Sequence, residues 1–145
     1  MKDTVLDASV FVASISPTEV HHATALRLMG QMPETRAFLV PALFRVEVIA
    51  ALARRGATRE YLDLLDALVT GRKFLSISLD DRLLAKAAEV ARTARLRAYD
   101  AVYVALAMVS DAELLTLDSE VRDRIVAAYP DIELFTELLG GAAAT

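Results

Sequence analysis

Thr4-Val5-Leu6-Asp7-Ala8-Ser9-Val10, residues 4–10, carries a brief apolar run that closes on a carboxylate and passes at once into a second apolar stretch. Residues 113–118, Glu113-Leu114-Leu115-Thr116-Leu117-Asp118, repeat the arrangement far along the chain. Apolar runs this short, bounded by polar residues, read as buried strands. Two strands that both end in aspartate put two carboxylates on one edge of a sheet.

Working outward, periodicity alternates between such runs and longer amphipathic ones. Thr4–Asp7 is a strand. Ser16 reads as an N-cap with Pro17 at the first helical position and Glu19 completing a capping box, for a helix to about Gly30. Ala37–Val40 is a second strand, and Pro41 opens a helix that Gly56 closes. A helix over Arg59–Thr70 precedes a third strand, Phe74–Ile77. Ser78 with Asp81 begins a helix to about Ala94. Ala98–Val109 is apolar nearly all round, as a buried helix is. Glu113–Leu117 is a fourth strand, Asp118–Ala128 a short helix and Ile132–Phe135 a fifth strand. Strands separated by helices predict an α/β fold of three layers, α/β/α, around a central parallel sheet of about five strands. Ligands in such folds sit beyond the carboxyl ends of the strands.

The chain has 145 residues, enough for one compact domain with one core, expected over residues 1–139, with Gly140–Thr145 as a loose tail. Hydrophobic residues make up 55%, yet no apolar run approaches the length of a membrane span. The excess is expected to cover a partner surface such as a dimer face. Absence of cysteine excludes disulfides, thiolate metal sites and cysteine nucleophiles. The opening residues do not read as a signal peptide, so the expected location is the cytoplasm. Net charge is −4, which gives no global basic field, but the basic set is lopsided. Lys2, Lys73 and Lys86 are the only lysines, and the other thirteen of sixteen basic residues are arginines, the better bidentate partners of phosphate or carboxylate.

Most acids sit where solvated acids are expected; four do not. Asp7 and Asp118 end strands, although each also suits a helix N-cap. Glu47 lies mid-helix with Leu43, Phe44, Ala50 and Ala51 at the i±3 and i±4 positions, within a stripe that should face the core. A carboxylate there needs a partner, because burying it unpaired costs several kcal/mol; the alternative is an ion pair with an arginine. Asp100 leads the buried segment over 98–109, where a first-turn acid also favours the helix dipole. If the four converge, any two carboxylates about 5 Å apart repel by roughly 3 kcal/mol at an effective dielectric of about 20. All-oxygen ligation suits a hard cation, Mg²⁺ or Mn²⁺. His21 and His22 are adjacent on the chain and diverge on a helix, and no HxxxH or HExxH pattern occurs, which argues against zinc hydrolysis.

These residues carry a resemblance. Val5-Leu6-Asp7-Ala8-Ser9-Val10, Val46-Glu47-Val48-Ile49-Ala50-Ala51-Leu52, Arg97-Ala98-Tyr99-Asp100-Ala101-Val102-Tyr103-Val104-Ala105-Leu106-Ala107 and Leu115-Thr116-Leu117-Asp118, in that order, resemble the four acidic motifs of the PIN-domain nucleases, in particular the VapC-type toxins of bacterial toxin–antitoxin pairs. The resemblance covers almost the whole chain. It implies a PIN-like fold, Mg²⁺- or Mn²⁺-dependent endoribonuclease activity at Asp7, Glu47, Asp100 and Asp118, a homodimer, and inhibition by a small cognate antitoxin. It further implies that Ser9 and Thr116 hydrogen-bond the carboxylates or metal-bound waters. Many relatives carry another acid soon after the fourth; Glu120 is the nearest candidate here and is left out of the metal set. Arg54, Arg55 and Arg59, at a turn between helices, are candidate phosphate contacts or simply helix C-cap charges. The competing readings are a nuclease of other nucleic acid, a PIN-fold binding module without catalysis, and a response-receiver domain, disfavoured because no lysine follows Lys86.

Overall fold

The computed structural model describes residues 2–134. Within them four strands, β1 (Thr4–Leu6), β2 (Phe38–Pro41), β3 (Phe74–Ile77) and β4 (Glu113–Leu115), form one sheet in the order β3-β2-β1-β4, and every pairing is parallel. Val5 pairs with Leu39 on one side and with Leu114 on the other. All four β2 side chains are buried, as an interior parallel strand requires.

Seven helices flank this sheet: α1 (Ala8–Ser14), α2 (His22–Gly30), α3 (Leu43–Arg54), α4 (Arg59–Val69), α5 (Asp81–Ala94), α6 (Ala98–Val109) and α7 (Ser119–Ala128). The chain steps from β1 to β2 to β3 in one direction, then returns through α5 and α6 to lay β4 on the far side of β1. Right-handed crossovers put the connections of these two directions on opposite faces of the sheet, which gives the three layers. The reversal makes the gap between the carboxyl ends of β1 and β4 a topological switch point. Phe11, Phe38, Phe44 and Phe74 meet in an aromatic cluster, with Phe11 edge-on to Phe74 at a centroid distance of 5.4 Å. Helix α6 is buried from Ala101 through Ala107, matching its all-round apolar sequence. Among the described residues no helix is long and apolar enough to cross a membrane.

Four local expectations are corrected. The sheet has four strands rather than about five: residues 132–134 are not a strand, although Leu134 accepts a backbone bond from Leu114 at 2.7 Å. One bond of this kind is not a ladder. Phe135 and the expected tail lie outside the described residues. The capping box at Ser16 and Glu19 does not start a helix; those residues form turns, and α2 begins at His22. Their polar groups are drawn into tertiary contacts instead, since Arg55 donates to Ser16 Oγ at 3.1 Å and pairs with Glu19. Helix α5 is capped by Asp80, whose carboxylate accepts from the Leu83 amide, not by Ser78. Finally, the fourth strand ends at Leu115 rather than Leu117, so Asp118 stands beyond it as the N-cap of α7.

Candidate active site

The site begins at the switch point. Asp7 follows β1 and caps α1, with the Ser9 amide and hydroxyl donating to its carboxylate at 3.4 and 2.7 Å. Its amide continues the sheet pairing by donating to Leu115 at 3.0 Å. From the neighbouring strand end, Thr116 donates its hydroxyl to Asp7 Oδ2 at 2.8 Å and accepts from the Asp118 amide at 3.1 Å. Asp118 in turn caps α7, accepting from the amides of Glu120 and Val121. Both aspartates therefore serve as N-caps, and Thr116 joins them because each follows the carboxyl end of one of two adjacent parallel strands.

Helices supply the other two acids. Glu47 is half-buried, and of its four apolar neighbours only Phe44 lies in the core, while Ala50 is exposed. The stripe thus forms the wall of a cleft rather than packing wholly inward. Glu47 makes no ion pair among the described residues; Tyr103 of α6 donates to its Oε1 at 2.8 Å. Asp100, one helical turn before Tyr103 on the same face, accepts from Arg97 Nε at 3.1 Å.

The four acids line one cleft of about 780 Å³, together with Ser9, Tyr99, Arg54 and Arg97. Burial pushes the Asp7 carboxyl above its ordinary value against the pull of the Ser9 and Thr116 bonds, and the charge of Asp100 adds to the rise. Burial likewise pushes Glu47 up to about 7, opposed by the Tyr103 bond and reinforced by Asp7 and Asp100. The Tyr103 hydroxyl is driven well above its usual range by burial and by the charges of Glu47 and Asp7. Arg97 is held above its ordinary value, chiefly by its hydrogen bond with Asp100.

Asp7, Glu47 and Asp100 therefore feel one another's charge, and Asp118 lines the same cleft. Among the described residues, however, no three acidic or histidine side chains form a ready-made metal cluster. Each carboxylate is held by its own local partner, which is where mutual repulsion leaves anions that share a cleft. The donor set nonetheless fits a hard divalent ion: it is all oxygen, and neither Asp7 nor Glu47 has a basic partner among the described residues.

Of the other candidates, Glu120 pairs with Arg124 and does not line the cleft. Arg54 and Arg55 do line it, Arg55 being engaged by Glu19 and Ser16, whereas Arg59 opens α4 away from it. His21 lies on the cleft wall, and His22 Nδ1 is 2.8 Å from the Ala13 carbonyl oxygen. Sequence reading missed Tyr103 as a functional side chain. The signal available was a phenol three positions after Asp100, inside a helix otherwise apolar, whose hydroxyl needed a partner.

Comparison with known proteins places this geometry. The sequence model of the PIN domain matches residues 4–125. No curated protein matches the sequence. Among solved structures, the chain is similar to VapC20 of Mycobacterium tuberculosis, described as a sarcin–ricin loop cleaving toxin, with TM-score 0.71, 18% identity and coverage of 83% of this chain and 94% of that one. It is also similar to FitAcB of Neisseria gonorrhoeae, with TM-score 0.68, 15% identity and coverage of 92% and 96%. VapBC2 of Rickettsia felis, bound to a DNA fragment from its promoter, gives TM-score 0.59, 10% identity and coverage of 83% and 91%. Likenesses at these identities speak for the fold.

Proposed function

This chain belongs to the PIN-domain family, a family of nucleases, and from that membership we propose that it is a Mg²⁺- or Mn²⁺-dependent endoribonuclease acting as the toxin of a toxin–antitoxin pair. The observation that carries the metal reading is the pairing of Asp7 with Glu47. Two carboxylates, each raised by burial and by the charge of Asp100, share a cleft with no basic side chain bonded to either among the described residues. That state is costly for the protein alone and is relieved by a cation.

Asp7, Glu47, Asp100 and Asp118 are the residues that would hold the ion. Bound there, a divalent ion supplies charge stabilisation to a phosphoryl group and lowers the pKa of a coordinated water. The chain's own contribution is orientation. Ser9 and Thr116 fix the Asp7 carboxylate, the amides of α7 fix Asp118, and Tyr103 fixes Glu47. Arg97, exposed on the rim beside Asp100, offers donors to a phosphate.

RNA as substrate, and the toxin role, are supported by likeness to VapC20, described as a sarcin–ricin loop cleaving toxin. The same reading makes the chain a cytoplasmic homodimer held inactive by an antitoxin. Its test is expression of wild type and Asp7→Ala without antitoxin, with mapping of cleaved RNA ends. New ends and arrested growth in wild type alone support the reading; equal growth and no new ends in either strain overturn it. With purified protein, Asp7→Ala and Asp100→Ala abolish cleavage while the fold survives. Cleavage at the wild-type rate in EDTA overturns the metal mechanism.

A further inference from the structure

Beside the acidic cleft lies a second cavity, of about 260 Å³, walled in part by Arg95, Arg97 and Arg124. Arg97, Asp100 and Asp118 line both spaces, so the two share a rim. Arg95 is the C-cap of α5 and stands in the left-handed conformation, with φ 56° and ψ 45°. Glycine is the usual occupant of such a position, because a side chain there meets its own carbonyl.

This unfavourable turn is braced. Arg124 Nη1 donates to the Arg95 carbonyl at 2.6 Å, while its Nη2 bonds Glu120 Oε1 at 2.6 Å. Arg124 is thus committed to holding the turn. The guanidinium of Arg95 is exposed and has no hydrogen bond or ion pair among the described residues. A strained residue, clasped by a second arginine and presenting an unengaged guanidinium next to the acids, points to use of that side chain. Arg97 is partly available: its side chain is 79% exposed, and with Nε bonded to Asp100 its terminal N–H groups remain to meet a phosphate.

We propose that this cavity is a phosphate subsite for the nucleotide adjoining the scissile bond, with Arg95 and Arg97 as its anion-binding groups and Arg124 as a positioning residue. The inference rests on the ribonuclease reading above. Asp100, Asp118 and Glu120 on the same wall make the cavity a poor trap for free inorganic phosphate. They do not prevent capture of a phosphate delivered by a strand already anchored at the acids, where its effective concentration is high.

Arg95→Gly separates function from folding. Glycine adopts the left-handed turn freely, so the melting temperature stays level or rises. Binding of a fluorescein-labelled single-stranded RNA, with Ca²⁺ in place of Mg²⁺, weakens about tenfold, as loss of a charged hydrogen bond implies. The slope of log affinity against log salt falls by about 0.7. A neutral methylphosphonate at the linkage beside the scissile one costs wild type more than it costs Arg95→Gly, in which only Arg97 is left to lose its contact. Arg82→Ala, at the opposite end of α5, leaves affinity near wild type, and inorganic phosphate competes poorly.

Wild-type affinity and salt slope in Arg95→Gly overturn the subsite, as does an equal loss in Arg82→Ala or full additivity with the methylphosphonate. Loss of binding to an acidic protein partner, with RNA binding intact, overturns it in favour of a protein-docking surface. If wild type itself neither binds nor cleaves any RNA, the ribonuclease reading falls and the subsite with it. If wild type cleaves and Arg95→Gly is indistinguishable from it, the subsite alone falls.

Discussion

Tyr103 on α6 donates its phenolic hydrogen to Glu47 Oε1 on α3 at 2.8 Å, joining residues 56 positions apart. Tyr103 is 2% exposed, so the donor is fixed in the core and orients a half-buried carboxylate that would otherwise have no partner among the described residues. Tyr103→Phe keeps the ring and removes that bond together with the hydroxyl's contact to the Ala8 backbone. The expected result is a 10–100-fold loss of Mn²⁺ affinity or of RNA cleavage, the usual cost of losing a group that orients a ligand. Stability falls by only about 1 kcal/mol. Calorimetric titration with Mn²⁺ against thermal melting separates the two.

Glu47 gives the metal-free protein a distinctive pH response. Its folded value of about 7 lies above the ordinary 4.5, so the folded state binds this proton more tightly than the unfolded chain does. The corresponding stability is fully present below about pH 4.5, declines as pH rises toward 7 and is lost above it. Asp7 is shifted in the same direction. In EDTA the melting temperature should therefore drop by a few degrees between pH 5 and 7.5, and Glu47→Gln should flatten that slope. An equally steep slope in the variant would remove Glu47 as its source.

Added Mg²⁺ or Mn²⁺ acts in the opposite sense. At about one hundred times its Kd the ion adds roughly 2.7 kcal/mol to the folded state. The rise in melting temperature should be visible by calorimetry at neutral pH and absent in an Asp7→Asn, Asp100→Asn double variant.

Thr116, 2% exposed, links the two strand-end acids by donating to Asp7 and accepting from the Asp118 amide. Thr116→Val keeps the shape, strips the Asp7 carboxylate of a donor and leaves an amide unpaired. A stability loss of about 1–3 kcal/mol is expected, together with weaker Mn²⁺ binding. Thr116→Ser, which restores the hydroxyl, should recover most of both.

How much of this was legible in the sequence depends on what fixes each element. Phe74–Ile77 and Ala98–Val109 match their expected bounds: the apolar content of the second buries it from Ala101 through Ala107, while the first is an edge strand with Phe74 alone buried. Asp7 is legible as a strand-end acid, and Asp118 follows β4 at a distance of three residues, on the same edge because a parallel sheet puts equivalent ends together. The start of α2 was not, because Ser16 and Glu19 answer to Arg55, 39 and 36 positions away, rather than to the local helix. Glu47 was read correctly as an acid in apolar company, but Leu43 and Ala50 turned out to wall a cleft rather than the core. Its partner Tyr103 comes from another helix, and no local pattern carries that pairing.

The 2.8 Å bond from Thr116 to Asp7 spans 109 positions, and this separation sets a schedule for synthesis. The first strand leaves the ribosome early and waits for its neighbour on the sheet, which is the last strand to be made among the described residues. Until residues near 118 emerge and dock, Asp7 lacks its orienting hydroxyl and the cleft lacks a wall. A nascent or prematurely terminated chain therefore has no assembled cleft, and the acids come together only after residues near 118 have been made.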